Sequence, residues 1–252
     1  MDIKGCVALV TGANRGIGEC FVRVLLESGA SKVYAGSRDP SAAKHLIEAH
    51  GERCEVIELD VTNEQQVASA ARACGAVNLL INNAGAFTNR LLIGAPDISG
   101  ARLEMEVNYF GTLSMCRAFA PILGGNGGGA IVNVLSAGAL VDVPVMGGYS
   151  PSKTAARFLS TGVRAELAGQ GTQVTALIVG SVDTRMAAHV QGAKERPEDI
   201  ARAGLQAVIE DADEVDTDSM AAAIRASLAL DPRAVERRMA RMLKAAVIHT
   251  GR

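Results

Sequence analysis

The sequence has no C-x-x-C pair, no excess of basic residues and no apolar run of membrane-spanning length. Its five cysteines, Cys6, Cys20, Cys54, Cys74 and Cys116, are odd in number and scattered. That pattern excludes a disulfide framework and a cysteine metal site, and reads as small buried side chains in a reducing cytoplasm. No metal is expected. Cys6 and Cys20, nearest the glycine-rich turn described below, are the two thiols expected to be open to oxidation. With 25 Lys and Arg against 27 Asp and Glu, a net charge of −2, the chain lacks the footprint of a nucleic-acid binder. The opening MDIKGCVALV carries early charges and an apolar run too short for a signal peptide or a membrane span. The expectation is a cytoplasmic protein that binds neither nucleic acid nor membrane. No stretch reads as a linker either: GGNGGG at 124–129 falls between a helix-like and a strand-like segment and reads as a turn away from the site.

What is present is apolar and alternating. Hydrophobic residues make up 48% of the 252-residue chain and charged residues 21%, enough for a buried core and against disorder. Short apolar runs, Val7–Val10, Lys32–Ala35, Glu55–Leu59, Asn78–Ile81, Ala130–Leu135 and Val174–Val179, alternate with helix-like stretches near 16–28, 40–50, 63–74, 102–122 and 149–168. Several runs are nearly continuous in Val, Ile and Leu, as suits strands covered on both faces. Repeated alternation of this kind predicts an α/β fold, one doubly wound Rossmann-type domain over 1–252 with a central parallel sheet, helices on both faces and its ligand at the carboxyl edge.

Two motifs carry chemistry. TGANRGIG, from Thr11 to Gly18, follows the run Val7–Val10 and precedes a helical pattern. Strand, glycine turn and helix form the setting in which backbone can approach a pyrophosphate at a helix N-terminus. The spacing is G-x-x-x-G-x-G, however, and taken alone it is equally an ordinary glycine-rich loop. Tyr149 and Lys153 stand four residues apart, with Ser136 thirteen residues upstream of Tyr149. At helical spacing they share a face, and a cation there favours the ionised form of a phenol whose free pKa is about 10. Alone, this pair is equally a solvated surface contact.

Together, TGANRGIG, NNAG at Asn82–Gly85, Asn108, Ser136 and Tyr149-x-x-x-Lys153 resemble the short-chain dehydrogenase/reductase family in its roughly 250-residue form, in order and in spacing, over nearly all of residues 3 to 210. The resemblance implies a catalytic tetrad of Asn108, Ser136, Tyr149 and Lys153. Ser136 and Tyr149 would hold the substrate oxygen, Tyr149 would pass the proton, and Lys153 would lower the tyrosine pKa and hold the ribose. The backbone of Asn108 would bind a water linking Lys153 to solvent. It further implies a dinucleotide held by Gly12, Asn14, Arg15, Gly16, Ile17, Gly18, Ser37, Arg38, Asp60, Val61, Asn83, Ala84, Gly85, Gly180, Val182 and Thr184, besides Tyr149 and Lys153. Asp60 would bond the adenine and is also placed to cap a helix starting near Asn63.

Charge at the end of the second apolar run bears on the cofactor. An acidic residue there favours a free ribose 2′-hydroxyl, and an arginine accommodates a 2′-phosphate. Arg38, with Arg15 in the glycine turn, predicts NADP(H); Asp39 is assigned to capping the helix that begins near Pro40. Where the family usually shows Pro-Gly after the sixth strand, this chain has Val179-Gly180, which predicts a looser turn.

Phe87, Ala137, Leu140, Val143, Met146, Ser181, Met186, His189 and Val190 are the expected walls of the substrate pocket, with 185–199 as a lid. Mostly apolar and free of a basic cluster, they favour a neutral ketone, aldehyde or secondary alcohol. A helical C-terminus over 217–247, atypical of the family, carries an apolar stripe of Met220, Ile224, Leu228, Val235, Met239, Met242 and Leu243. It is expected to pack back on the domain; a partner- or membrane-facing surface, helped by Arg233, Arg237, Arg238, Arg241 and Lys244, is the alternative. The family implies a homodimer or homotetramer paired through 102–122 and 149–168. Three functions are therefore in view: an NADP(H)-dependent carbonyl reductase, a 3-ketoacyl-thioester reductase, and an NADP(H)-binding sensor or scaffold without turnover.

Overall fold

Seven parallel strands form one sheet: β1 (Val7–Thr11), β2 (Lys32–Ser37), β3 (Cys54–Glu58), β4 (Leu79–Asn82), β5 (Gly129–Val134), β6 (Thr172–Ile178) and β7 (Glu214–Asp216). Their order is β3-β2-β1-β4-β5-β6-β7. The structure is a computed structural model that describes the backbone of residues 1–250 and the side chains of residues 1–243. All six apolar runs lie in or beside strands, and the short acidic segment at Glu214 completes the sheet. The strand order switches sides between β1 and β4, the point at which an open α/β sheet leaves a crevice beyond its carboxyl ends.

Successive side chains on a strand face opposite sides of the sheet. Ala8 and Val10, Leu79 and Ile81, and Ala130 and Val132 therefore join Phe21, Leu25, Leu177 and Val208 on one face. Helices α1 (Gly16–Glu27), α2 (Lys44–His50) and α7 (Pro197–Ile209) cover that side. Leu9, Leu80 and Ile131, one residue out of phase, join Met115, Phe119, Leu123 and Val163 on the other. There the cover is α3 (Glu64–Ala73), α5 (Thr112–Gly125) and α6 (Tyr149–Leu167). Both faces are sealed, which is why the strand sequences run apolar without polar alternation.

Several boundaries differ from the sequence expectation. The helix expected over 102–122 is α4 (Ser99–Met105), a wider-wound π segment Glu106–Gly111, and α5. Asn108 lies in this π segment, where the backbone is wound more widely than in the α-helices on either side. Helix α3 is capped by Asn63, whose carbonyl accepts from the amides of Gln65 and Gln66. Asp60 is not that cap; its carboxylate turns to the amide and hydroxyl of Thr62. Asp39 does cap the turn at Pro40, accepting from Ser41. The segment expected as a lid ends sooner, because α7 begins at Pro197.

The C-terminal stripe folds back. Helices α8 (Ser219–Leu230) and α9 (Pro232–Thr250) part at Asp231-Pro232. Ile224, Val235 and Met239 pack with Leu135, Ala137, Ala139 and Ile178, with Leu228 at the margin. Met220 and Met242 are exposed, and the side chain of Lys244 lies outside the described residues. The acidic β7 is held from both sides: Arg157 pairs with Glu214 at 2.6 Å, and Arg225 with Asp216 at 2.7 Å. All five cysteines are free; Cys6, Cys54, Cys74 and Cys116 are buried and Cys20 is half-buried. Burial pushes the Cys6 thiol up to about 11 and also raises Cys20, so neither is an activated thiol and the expected oxidation sensitivity is not supported.

Helix α7 approaches α1 and the sheet at Gly204, where a Cβ would stand 2.7 Å from both the Leu177 side chain and the Phe21 ring. Gly204→Ala overpacks this contact and is expected to lower the unfolding free energy by about 1–3 kcal/mol. Equilibrium urea unfolding measures it; an unchanged midpoint at unchanged slope contradicts the packing argument.

Candidate active site

The carboxyl ends of β1 and β4 are locked to each other. The Thr11 hydroxyl accepts from the amides of Asn83 and Ala84, both at 3.0 Å. The Asn83 side-chain amide donates to the carbonyls of Thr11 (2.9 Å) and Gly12 (3.1 Å). Gly12 and Gly16 adopt φ of +63° and +59°, which side chains resist. A Cβ on Gly18 would overlap the Gly12 carbonyl oxygen and come within 2.5 Å of the Asn83 amide nitrogen. The loop is thus tightened until backbone alone forms its floor, and it opens onto α1, whose first turn has no side-chain cap. That cradle fits the phosphates of a dinucleotide. Asn14 and Ile17 are half-buried at its rim.

Arg15, in the turn, and Arg38, beyond β2, are both exposed, and neither has an acidic partner within ion-pair distance among the described residues. The Ser37 hydroxyl donates to the Asp39 carbonyl and accepts the Asp39 amide, which shapes the turn that presents Arg38. Val61 is buried beside Gly111, and Gly85 lies close to the Lys153 ammonium: a Cβ on it would stand 3.7 Å from Nζ.

The four expected catalytic residues converge from three elements. Tyr149 opens α6 and Lys153 lies one turn on, both buried. Lys153 Nζ donates to the Val134 carbonyl, the last of β5, at 2.9 Å and stands 5.8 Å from the Tyr149 ring centre. Ser136 follows β5, its hydroxyl accepting from the Gly138 amide at 3.1 Å, and it draws the Tyr149 phenol downward. The Asn108 side chain accepts from the Ala86 amide (2.8 Å) and donates to the Ala86 carbonyl and the Ser152 hydroxyl, each at 2.9 Å.

The electrostatics differ from the expectation. Burial pushes Tyr149 up to about 12, against the pull of its hydrogen bond with Ser136, and the Glu104 charge adds to the rise. Burial likewise brings Lys153 down to about 8. Desolvation opposes the charged form of both groups and sets the direction of both shifts. The phenol is therefore a proton donor at neutral pH and the ammonium is largely cationic.

On the far side of the cleft, Thr184 reaches the glycine turn: its methyl would lie 3.3 Å from a Cβ on Gly16. Val182 is buried and bridges to Glu195. The turn expected to be loose for want of proline is held by Asp218, whose carboxylate accepts the Gly180 amide at 2.6 Å and caps α8 through Ala221. Gly180 consequently faces Asp218 and Met220 of the C-terminal segment, and its part in the cleft is the turn it makes.

Of the expected pocket residues, Phe87 stands edge-on to Tyr149, ring centres 5.3 Å apart, and His189 tilts over Phe87 at the same separation. Ala137 is buried next to Ser136; Met146, Ser181 and Val190 are half-buried, and Met186 is exposed. Leu140 and Val143 turn to the cluster beneath α8 and α9. Leu140 lines a cavity of about 490 Å³ whose walls include Thr154, Leu228 and Glu236 and none of the four catalytic residues. It is thereby removed from the pocket expected around Tyr149.

Sequence reading passed over Thr11, Glu104 and Asp218. A hydroxyl ending β1 and an aspartate before a helix are local signals that were readable. Glu104 carries none, since nothing in its neighbourhood marks a carboxylate for burial.

The family model described as short chain dehydrogenase matches residues 6–195. A short chain dehydrogenase from Burkholderia cenocepacia, crystallised in complex with NADP, is 45% identical and superposes with a TM-score of 0.90, covering 95% of this chain and 99% of that one. A 7α-hydroxysteroid dehydrogenase, complexed with NADH and 7-oxo glycochenodeoxycholic acid, is 25% identical at a TM-score of 0.79, covering 85% and 92%. The rhamnolipids biosynthesis 3-oxoacyl-[acyl-carrier-protein] reductase of Pseudomonas aeruginosa is 30% identical over 201 residues, 75% of this chain and 77% of that protein.

Because Asp218 serves both a backbone amide and a helix cap, Asp218→Ala should cost about 1–3 kcal/mol of stability. The thermal midpoint should fall by several degrees; an unaltered midpoint would show that the 180–184 turn is held by something else.

Proposed function

The chain belongs to the short-chain dehydrogenase/reductase family, and from that premise we propose that it is an NADP(H)-dependent reductase of neutral ketones or aldehydes. The observation that carries the reading is the convergence of a buried Tyr149 with Ser136 and Lys153 beside a backbone phosphate cradle. The reaction is carbonyl plus NADPH plus a proton to alcohol plus NADP⁺. The 2′-phosphate falls to Arg38 and Arg15, which are exposed and have no acidic partner among the described residues. The pyrophosphate falls to the Gly12–Gly18 turn, the adenine side to Asp60 and Val61, and the ribose and nicotinamide side to Asn83–Gly85, Lys153, Val182 and Thr184. Similarity to the Burkholderia protein crystallised with NADP supports the choice of cofactor.

When bound, the nicotinamide supplies the hydride. The chain supplies everything else. Ser136 and the Tyr149 phenol hold the substrate oxygen; the phenol then gives its proton to the oxygen as negative charge develops there. Lys153, cationic below about pH 8, stabilises the phenolate left behind. The Asn108 backbone would serve the water that the family resemblance implies, while its side chain is committed to Ala86 and Ser152. Phe87, Ala137, Met146 and His189 offer apolar or aromatic walls, with the segment before α7 as the lid over them. The whole chain is read as one domain. Exposed Leu103, Phe110 and Phe158, on or beside the helices through which the family pairs, support a homo-oligomer. No described helix is long and apolar enough to cross a membrane.

Similarity to the Pseudomonas 3-oxoacyl reductase supports a second reading, reduction of a 3-ketoacyl thioester on the same residues. NADPH oxidation at 340 nm against ketones, aldehydes and one acetoacetyl thioester separates the two. Tyr149→Phe should keep NADPH affinity and lose turnover by two orders of magnitude or more; binding without turnover in the wild type would favour the sensor. For reduction, kcat/KM for NADPH should be level at low pH and fall above about 8 as Lys153 loses its charge, with no limb from Tyr149 below about 12. A profile that rises through pH 8 contradicts the assignment. Arg38→Glu should raise the KM for NADPH roughly tenfold or more, the cost of about 1.4 kcal/mol or above in a lost charge-assisted contact, while that for NADH changes little; equal effects on both cofactors would sink the 2′-phosphate role.

A further inference from the structure

Glu104 is a charged residue with no exposed surface, set in α4 one turn before Asn108. Its Oε1 accepts from the Thr88 amide at 2.7 Å and the Thr88 hydroxyl at 2.9 Å. Its Oε2 is buried without a hydrogen-bond partner. That oxygen lies against the residue preceding Tyr149: a Cβ on Gly148 would come within 2.6 Å of it. A carboxylate buried with a free oxygen is costly and is retained only where it serves something.

Its partner residues show what it serves. Asn108 grips Ala86 through both backbone groups, and Glu104, four residues earlier, grips Thr88. The loop leaving β4 is thus pinned at two alternate residues by two side chains of one helical segment. Phe87, between the two pins, stands against the Tyr149 ring at 5.3 Å and under His189. On its other side the same carboxylate abuts the first turn of the catalytic helix. The helix N-terminus there, whose first amides lack a side-chain cap, favours negative charge.

We propose that Glu104 is a positioning residue of the reductase, fixing Phe87 against Tyr149 and so setting the gap into which the substrate carbonyl fits. The inference rests on the reductase reading of Tyr149. Asn108 holds the half of the loop next to Lys153; Glu104 holds the half that meets substrate. Its charge has a second effect, because it opposes ionisation of the phenol and favours the form that donates a proton. The other charged or titratable groups around Tyr149 are Lys153 on its own helix and His189 of the lid, behind Phe87; Arg90, near Thr88, is engaged with Ser99 and Asp97.

The test uses the full chain with Glu104→Leu, Glu104→Gln and Tyr149→Phe. Glu104→Leu, which removes the grip on Thr88, should lower kcat/KM for the carbonyl on the order of 10- to 100-fold with NADPH affinity unchanged. Glu104→Gln keeps an acceptor for Thr88 and should restore most of that loss. Wild-type carbonyl kinetics in Glu104→Leu, or an equal loss of NADPH affinity, overturns the proposal, as does a Glu104→Gln variant as impaired as Glu104→Leu. If Glu104→Leu does not fold, Thr88→Val removes the hydroxyl half of the grip, and wild-type kinetics there overturn it equally. An active Tyr149→Phe defeats the reductase reading itself, and an inactive one beside a normal Glu104→Leu defeats this inference alone.

Discussion

One buried ammonium fastens helix α6 to the sheet. Lys153 reaches from the second turn of α6 to the last carbonyl of β5, and so fixes Tyr149, one turn before it, relative to Ser136, two residues beyond that carbonyl. Removing a cation from water is unfavourable, and the cost is visible in the fall of Lys153 to about 8. The remaining polar geometry of the site follows from this attachment. Asn108 reaches α6 through Ser152, on the same helix face, and Glu104 meets the start of α6 at Gly148.

The glycine cradle depends on a parallel arrangement across the switch point. Thr11 and Asn83 exchange side-chain and backbone bonds between β1 and β4, so neither loop moves without the other. The C-terminal segment enters the same arrangement through Asp218, which holds the Gly180 turn. A turn usually stiffened by proline is stiffened here by a carboxylate from a later element. Helices α8 and α9 meanwhile take Leu140 and Val143 into their own cluster, so the wall opposite Phe87 is built from fewer residues than chain proximity suggests.

Much of this was legible beforehand. The six apolar runs marked strands because a sheet covered on both faces has no polar phase to interrupt them. Tyr149 and Lys153 were legible because helical spacing fixes a shared face. The division of the 102–122 helix was not, since a π segment leaves no periodicity of its own within six residues. The direction of the Tyr149 shift was not either: spacing reveals that a lysine is near but says nothing of how deeply both are buried, and burial decided the sign.

What the sequence by itself determined is local: the strand–turn–helix at Gly12, the basic end of β2 at Arg38, the order of the catalytic residues, and the amphipathic C-terminus. These are set by short-range sterics and periodicity. The tertiary structure alone decided which side chains separated by tens of residues share a buried volume. It placed Glu104 between Thr88 and Gly148, gave Gly180 to Asp218, and turned Leu140 away from Tyr149. Burial and pairing depend on where helices cross a sheet, and the energy of a charge depends on that surrounding far more than on its neighbours in the chain.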